Sequence, residues 1–427
     1  MLTILLFLLG LFFLLQKKYA SLLTVIYILS STFLQMQINQ LSLLTIAGIN
    51  TSDIGLLLYI LFFVKIAGQH KLRISNNIQL SVTVFFIFLI LNGIFDIFHN
   101  NTSLGDVIKY IKGWTLLSIV YIYPYIKLEY AIRSLKQVYN ITMFLCIFVT
   151  ICMVLKLDFG IFWVLEGRGI KPPPDCMWFA PMAFYNIWNK SKSKSIIETL
   201  IFIIPAVMFL KMTYAITIVL IFALIILMKK NTGLAIKIIL GATFCVSVSA
   251  FLYVSSDFNE RMSGMIAERS DIEQGESGGN FSYRILHAQE RFDFISKDPV
   301  MLWRGFGYLH EKNLKKPLFV LGTNHGEGQL DTGDIVWSLF FIRLGMLGLF
   351  LYLLIYINIL KQYYRKRQKA ICILFATMMS SYLIFTSLGN AIISYGYFFI
   401  YPILFLNVCK DSKQQQTKEL NKLARNS

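Results

Sequence analysis

The sequence predicts an all-α polytopic integral membrane protein, with about 12–13 transmembrane helices and one large extracytoplasmic loop that contains short helices. Three observations lead to this fold class. Of the 427 residues, 56% are hydrophobic and 15% are charged, whereas soluble domains carry about 25% charged residues. The apolar residues form a series of long runs, and one late segment between two runs is polar. This composition excludes a soluble globular protein, a disordered chain and a disulfide scaffold.

The apolar runs are the predicted transmembrane helices. A spanning helix needs about 20 mostly apolar residues, with a range near 17–25, and the first and seventh runs are short for this. The first run lacks the basic start and small-residue cleavage site of a signal peptide, so a retained helix is predicted. The runs are 1–15, 19–36, 52–66, 78–98, 109–126, 139–157, 176–188, 196–210, 213–228, 234–254, 334–360, 369–387 and 391–408.

The charge distribution predicts the topology. The net charge is +17, yet residues 255–333 hold twelve acids and nine bases, so the positive excess lies elsewhere. It lies in short clusters between alternate runs, as the positive-inside rule requires of cytoplasmic loops. A nucleic-acid partner is not predicted, because that would need a basic face on a folded domain. The clearest basic clusters lie at 17–18, 65–73, 127–136, 190–194, 229–230 and 361–369.

Four segments follow from this pattern. Residues 1–254 hold the first ten transmembrane helices, 255–333 the large outer loop, 334–408 the last helices and 409–427 a cytoplasmic tail. Long loops are often functional, so the active site is sought in the outer loop. The six cysteines lie in or beside apolar runs without paired metal-ligand spacing, so no metal site is predicted. Arg343, inside the eleventh run, is a functional candidate because intramembrane charges usually are, and the alternatives are that it pairs with an acid or lines the edge of a cavity.

The outer loop contains one predicted helix, from Phe281 to Lys297. Arg284, His287 and Arg291 share a line on it that borders an apolar stripe, so both arginines are expected to be partly desolvated at the membrane boundary. A desolvated guanidinium binds an anionic phosphate well through bidentate bonds. The alternative is a surface helix whose arginines pair with acids or lipid headgroups. The apolar stripe is formed by Phe281, Ile285, Ala288, Phe292 and Ile295.

Other outer segments carry further candidate groups. A glycine-bearing turn at Trp303–Tyr308 follows the helix, and ordinary turn chemistry also explains it. Farther on lie His325 and Asp334, of the residue types that commonly act as general bases. A second, proline-stiffened loop carries Arg168 and Lys171, although a plain turn with a basic pair is the alternative.

The order of these short motifs carries a family resemblance. The motifs are Arg168 in its Gly/Pro loop, Arg284-x6-Arg291-Phe292, Pro299, Gly305-x-Gly307, Asp334-Ile335-Val336-Trp337 and Leu344-Gly345-Met346-Leu347-Gly348-Leu349. In this order they resemble the O-antigen polymerase and O-antigen ligase superfamily of bacterial surface-polysaccharide assembly. The resemblance covers the topology throughout and motif detail from Arg168 to Leu349. Ligases of the family carry a His-Asn pair where this chain has Asp334-Ile335, which favours the polymerase branch.

The resemblance implies a metal-independent membrane glycosyltransferase without cofactors. It would polymerise undecaprenyl-pyrophosphate-linked repeat units into O-antigen or capsular polysaccharide at the outer face of the inner membrane. Arg284 and Arg291 would hold the pyrophosphate, and Arg168 or Lys171 would meet the second lipid-linked substrate. Asp334 is slightly favoured over His325 as the base, although it could instead cap the eleventh helix. The supporting residues would be His287, Gly305, Gly307 and Tyr308.

Partners and competing functions follow from the same pattern. The implied partners are the lipid-linked glycan and the bilayer, and a chain-length regulator is left open. One alternative is an O-antigen ligase that transfers polysaccharide to lipid A core. The alternative from another class is a lipid-linked oligosaccharide flippase or another transporter, which should place charges in the middle of its helices. The concentration of charges in the late outer loop favours the enzyme.

Overall fold

The computed structural model describes residues 2–31, 50–157, 164–165, 169–184, 192–209, 218–225, 280–310, 313–314, 318–319, 330, 335–366, 369–386 and 396–409. This part of the chain is helical, apart from an antiparallel pair formed by Val164–Leu165 and Gly169–Ile170. Its main helices are α1 (Leu2–Leu15), α2 (Tyr19–Ser30), α3 (Thr51–Gln69), α4 (Asn77–His99), α5 (Leu104–Ile111), α6 (Leu128–Val154), α7 (Cys176–Phe184), α8 (Lys192–Met208), α9 (Asn280–Ser296), α10 (Pro299–Arg304), α11 (Val336–Arg365) and α12 (Ala370–Thr386).

Four of the described helices, α3, α4, α6 and α11, are long and apolar enough to cross a membrane. Shorter apolar helices are present in α1, α2, α12 and the last described segment. The helix predicted in the outer loop is confirmed as α9. Several predicted runs agree with these helices to within a few residues. The number of spans remains a prediction, because the runs at 213–228 and 234–254 lie wholly or partly outside the described residues.

Two predicted runs form irregular helices instead of continuous α-helices. Run 109–126 is divided between the end of α5 and three short pieces, Lys112–Ser118, Ile119–Ile122 and Tyr123–Tyr125. The last run is similarly split into Gly396–Phe399, Ile400–Leu404 and Phe405–Cys409. The two segments support each other, because Asn407 Nδ2 donates to the Tyr123 carbonyl at 2.9 Å. Pro124 has no backbone N–H to donate, which favours a break in the α-helical ladder at this point.

The basic clusters meet at one end of the bundle. Lys65 on α3 bonds to the carbonyl of Leu14 at the end of α1. The His70 ring, just beyond α3, stacks on Tyr125 with ring centroids 4.3 Å apart. At the same end, Lys369 donates to the Val408 carbonyl at 2.5 Å. Clusters separated widely in sequence are therefore gathered together, as the positive-inside pattern predicts for one face of a membrane.

Helix α11 packs against four of the other main helices. It contacts α4, α9, α10 and α12, while α2 packs against α1, α3 and α6. The centre is rich in aromatic rings, with Tyr352 lying 4.7 Å from Phe340 and 5.6 Å from Trp114 between ring centroids. In lipid, helices associate through close packing and polar contacts, since the lipid tails are as apolar as the side chains. Interlocking aromatic rings supply such packing.

Candidate functional site

The turn that follows α10 inserts its backbone between α4 and α11. The amides of Phe306 and Gly307 both donate to the carbonyl oxygen of Ile342, at 2.7 and 3.2 Å. Helix α11 is kinked at Gly345, where φ is 60° and ψ is −167°, outside the helical region. A kink opens the helical hydrogen-bond ladder, and buried backbone groups need partners. The turn thus takes part in the hydrogen bonding of the kinked helix.

Two glycines make this close approach possible. Gly305 and Gly345 both have positive φ, at 80° and 60°, where residues with a side chain are strained. A Cβ atom on Gly305 would lie 2.7 Å from the backbone nitrogen of Gly345. The two backbones can touch only because neither residue has a side chain. The glycines quoted in the motif on the turn and the motif on α11 therefore belong to one contact.

Asp96 anchors the same turn from the side of α4. Its side chain is fully buried and pairs with the guanidinium of Arg304. The carboxylate also accepts from the Tyr308 amide at 2.5 Å and from Asn100 Nδ2 at 2.9 Å. Arg304 Nε in turn donates to Asn92 Oδ1 at 2.9 Å. Charge-assisted bonds of this kind are the strong ones, and here they fix both ends of the turn.

Arg343 completes the anchorage from α11. This buried arginine donates through one guanidinium nitrogen to the carbonyls of Gly307 and Leu309, at 3.2 and 2.6 Å. Its own backbone carbonyl accepts from Asn92 Nδ2 at 3.4 Å. The intramembrane charge identified in the sequence therefore binds the backbone of the turn. This contact holds the first part of α11 against the turn.

Helix α9 docks beside the turn through a polar face. His287 is fully buried, and its Nδ1 lies 2.7 Å from Ser338 Oγ on α11. Arg291 is 0% exposed, and its guanidinium contacts the Glu290 carboxylate at 2.6 Å. The same guanidinium lies 4.2 Å over the ring of Phe319. The guanidinium of Arg291 is therefore paired with a carboxylate oxygen through a charge-assisted bond.

The buried face of α9 differs from the apolar stripe seen in the sequence. Ile285 is 50% exposed and Phe292 is 37% exposed, whereas His287, Arg291 and Ile295 are buried. The line of His287 and Arg291, which bordered the stripe, is thus the line that contacts the protein. Docking on α11 decides the orientation, since Ser338 offers a hydrogen bond that an apolar surface cannot.

The structure brings together part of the predicted site. Helix α9, through His287, and the turn with Gly305, Gly307 and Tyr308 both contact α11 within its first three turns, and Arg291 lies one turn beyond His287 on α9. Lys171 is buried beside α7, in a different part of the described structure. The remaining predictions lie outside the described residues: Asp334, His325 and Arg168, together with the side chain of Arg284. The roles assigned to all of these residues stay predictions.

Asp96, Asn92 and Arg304 are site residues that sequence reasoning missed. A signal was present, because Asp96 is the one charged residue in run 78–98, and an intramembrane charge is a functional candidate by default. Arg304 was noticed only as part of a glycine turn. Its pairing with Asp96 spans 208 positions, so no local pattern could reveal it.

A second polar feature lies where the proline-rich loop meets α7. Asp175 is 6% exposed, and its Oδ1 accepts from Tyr27 Oη at 2.7 Å and from Trp178 Nε1 at 2.9 Å. Burial raises the pKa of this carboxyl above its ordinary value, and the two hydrogen bonds oppose that rise. The carboxylate lines a small cleft of about 20 Å³, room for about one water molecule, here called the aromatic cleft. Its rings come from Tyr27, Trp178, Tyr382, Tyr397, Phe398 and Tyr401.

The described residues therefore provide two largely buried arginines paired with carboxylates, Arg291 and Arg304, and an aromatic cleft that contains a carboxylate. Within the described ranges, no three His, Cys, Asp or Glu side chains are grouped as a metal site would require. Neither a protein-family model nor a curated protein sequence matches this chain. The functional argument consequently rests on the residues and their geometry.

Proposed function

We propose that this chain is a membrane glycosyltransferase that polymerises undecaprenyl-pyrophosphate-linked oligosaccharide repeat units. The product would be an O-antigen or a capsular polysaccharide, made at the outer face of the bacterial inner membrane. The proposal starts from the order of the sequence motifs. Its main support in the structure is that His287, one turn before Arg291 on α9, and the turn with Gly305 and Gly307 both contact the first part of α11, which includes Gly345.

The polarity of the bundle supports the proposed location. Helix α4 begins near the basic end, where Asn76 Nδ2 lies 3.4 Å from Tyr123 Oη, and it reaches the turn through Asp96 near its other end. The turn and α9 therefore lie opposite the gathered basic clusters. If those clusters face the cytoplasm, the site faces outward, where lipid-linked repeat units are assembled into polymer.

The leaving group explains why arginines are needed. A lipid pyrophosphate leaves without further activation once its negative charge is bound, so preorganised positive charge can supply much of the catalysis. In the structure, Glu290 provides an anionic oxygen to Arg291 at 2.6 Å. We propose that a phosphate oxygen of the substrate exchanges with this carboxylate. Arg284, seven residues earlier on the same helix, would bind the same pyrophosphate.

The other predicted residues would handle the acceptor. Asp334 or His325 would remove the proton from the acceptor hydroxyl as its oxygen attacks the anomeric carbon and the bond to the pyrophosphate breaks. Arg168 or Lys171 would hold the second lipid-linked substrate. Holding both substrates in line contributes rate through orientation alone.

The glycan ladder of cells that lack this protein is the direct test of function. Lipid A core carrying a single repeat unit indicates a polymerase, and restoration of the ladder by the wild-type gene confirms the assignment. Core alone indicates a ligase or a flippase instead. An unchanged ladder contradicts every one of these functions.

Arginine substitutions on α9 test the proposed site. Arg284→Ala and Arg291→Ala should each shorten or abolish the ladder at normal protein levels, because a charge-assisted hydrogen bond contributes about 1.5–3 kcal/mol, roughly ten- to a hundred-fold in rate. Arg→Lys should rescue poorly, since lysine lacks the planar fork. Arg133→Ala is the matched control, because its side chain is 67% exposed and pairs with Glu129 on α6. Normal ladders from both α9 variants would remove these arginines from the site.

A further inference from the structure

An open groove of about 510 Å³ runs along α9, and it is here called the α9 groove. Binding sites for small molecules typically measure about 300–1,000 Å³, so this groove has room for a short oligosaccharide. Its wall on α9 follows one line of the helix, because residues three or four positions apart share a face. That wall includes Leu286, Gln289 and Asp293 and ends at Lys297, just beyond the helix, and the segment Leu318–Phe319 also lines the groove.

The polar side chains of this wall are not engaged by other parts of the described protein. Within the described ranges, Gln289, Asp293 and Lys297 form no side-chain hydrogen bond or ion pair. Together they offer an amide, a carboxylate and an ammonium group, so the wall contains both donors and acceptors. A hydroxyl group donates one hydrogen bond and accepts others. A molecule rich in hydroxyl groups can therefore pair with all three side chains.

Apolar side chains form the rest of the α9 groove. The Phe319 ring is buried and lies 5.1 Å from the Phe294 ring between centroids, and both residues line the groove. Apolar surface beside a few polar groups is typical of small-molecule sites, in which the polar groups fix the orientation of the ligand. A sugar ring has C–H groups on its faces and hydroxyl groups at its edge, so it can contact both kinds of surface at once.

The charges of the groove favour a sugar over a highly charged ligand. Asp293 and Lys297 carry opposite charges, and the carboxylate of Glu290, which also lines the groove, is paired with Arg291. A polyanion would meet two carboxylates, and a polycation would meet the lysine. Hydroxyl groups pair with either charge, so the groove suits a neutral glycan best.

The α9 groove reaches the buried guanidinium of Arg291 through two shared residues. Glu290 lines the groove, and its carboxylate lies 2.6 Å from that guanidinium. Phe319 lines the groove as well, and its ring lies 4.2 Å from the guanidinium carbon. A phosphate that exchanges with Glu290 at Arg291 would leave this carboxylate at the wall of the groove. There it can accept a hydrogen bond from a sugar hydroxyl.

From these observations we infer that the α9 groove holds the sugar rings that follow the pyrophosphate of the lipid-linked substrate. Hydroxyl groups of these sugars pair with Gln289, Asp293 and Lys297, while the phosphate binds Arg291. The inference rests on the proposed function for the identity of the ligand. It assigns the groove to binding and to the choice of repeat unit, because a sugar with differently placed hydroxyl groups would lose some of these bonds.

Purified protein provides a binding test that does not depend on catalysis. The probe is the oligosaccharide repeat unit released by mild acid from the lipid carrier of cells lacking this protein. A bound ligand raises the melting temperature of its protein, so rising concentrations of oligosaccharide should stabilise the wild type. Gln289→Met and Asp293→Leu keep the size of the side chain and remove its hydrogen-bonding groups. For the same stabilisation, Gln289→Met should need roughly two- to ten-fold more oligosaccharide and Asp293→Leu roughly ten-fold or more.

Two adjacent residues of α9 provide a matched pair of controls. Leu286 and Ile285 are each 50% exposed, and only Leu286 lines the groove. Leu286→Ala removes apolar surface from the groove and should raise the required oligosaccharide concentration roughly three- to ten-fold. Ile285→Ala should respond like the wild type. Both positions are exposed, so neither substitution should change the stability of the free protein by more than about 1 kcal/mol.

Polymerisation by the protein in vesicles separates this inference from the proposed function. With lipid-linked repeat unit as substrate, Asp293→Leu should raise KM with kcat maintained, the pattern of lost binding. If the wild type binds the oligosaccharide but does not polymerise, the proposed function fails and the groove assignment stands.

Three results would overturn the groove assignment. The first is an oligosaccharide response equal to that of the wild type in both Gln289→Met and Asp293→Leu, even if the protein polymerises. The second is equal weakening by Ile285→Ala and Leu286→Ala, since only one of these side chains lines the groove. The third is a wild-type protein that the oligosaccharide leaves unstabilised.

Discussion

At the scale of single residues, Asp96 is the side chain on which the stability of the turn is expected to depend most. It is a fully buried carboxylate on a mostly apolar helix, and it holds Arg304 and the amide of Tyr308. Removing one member of a buried pair leaves the other charge without compensation, which costs far more than the net contribution of the pair. The stability of the turn is therefore expected to depend strongly on this one side chain.

Asp96→Asn should destabilise the protein by about 3–5 kcal/mol, since Arg304 loses its ionised partner in a buried place. The melting temperature of the detergent-purified protein and its level in membranes are the measurements. Adding Arg304→Met to this variant removes the stranded cation and should recover at least half of the loss. If Asp96→Asn melts at the same temperature as the wild type, the ion pair is dispensable for stability.

Single residues also show which features of the candidate site could be predicted from the sequence. The line of His287 and Arg291 was visible as a spacing on one helix, because helical periodicity is local. Its burial was not visible, because it depends on Ser338, which lies 51 positions away. Asp96 and Arg304 were missed for the same reason. Spacing identifies which side chains share a face, and tertiary contacts decide what that face meets.

At the scale of elements, α11 departs most from the helix that its apolar run predicts. The run at 334–360 predicts one continuous helix, and the helix observed extends to Arg365 with a kink at Gly345. A hydropathy pattern fixes length and approximate ends, but it does not respond to backbone dihedral angles. At this kink the backbone of the turn contacts α11 through Gly305. In the sequence, the glycines of the two motifs, Gly305 and Gly345, were the local sign of that contact.

Gly345→Ala should destabilise the protein by about 1–3 kcal/mol, because a side chain at φ 60° is strained and its Cβ would meet the turn. Gly68→Ala is the control, since a Cβ there would have no atom within 4 Å and α3 is helical at that point. Alanine in an ordinary helix is favoured by up to about 1 kcal/mol over glycine. The two variants should thus shift the melting temperature in opposite directions, and equal melting would contradict the proposed contact.

The segments at 112–125 and 396–409 show a second feature that hydropathy does not predict, the irregular backbone of an apolar segment. Both are apolar enough to predict a span, and both are built of short 3₁₀ and α pieces. Their irregular backbones are acceptable because they are buried against each other and share side-chain donors such as Asn407. Composition alone cannot distinguish such a pair from two regular helices.

At the scale of the whole molecule, the bundle has two chemically different ends. Lysines from several loops meet at one end, and the turn, α9 and the aromatic cleft lie toward the other. This polarity was predictable, because charge clusters between apolar runs report the side of the membrane directly. The packing order of the helices was not predictable, since lipid-facing and protein-facing positions in such a chain are both apolar.

Thiol labelling tests the polarity. Leu104→Cys, at the 62% exposed first residue of α5, should react with an impermeant thiol reagent in intact spheroplasts. Lys71→Cys, exposed at the basic end, should react only after lysis. The five cysteines within the described ranges are buried, and the unsubstituted protein measures the background. Labelling of Lys71→Cys alone in intact spheroplasts would reverse the proposed orientation.

The pairing of Asp96 with Arg304 also bears on how the protein is made. The two residues are 208 positions apart, so at about 5–20 residues per second the ribosome reaches Arg304 some 10–40 s after Asp96. During that time α4 must remain in the membrane with a carboxylate near its end. Asn100, whose amide lies 2.9 Å from Asp96 Oδ1, is on hand almost from the start. Biogenesis therefore has an early stage, in which the Asn100 amide is the hydrogen-bond partner of Asp96. In a later stage, the newly synthesised Arg304 pairs with Asp96 and joins the turn to the bundle.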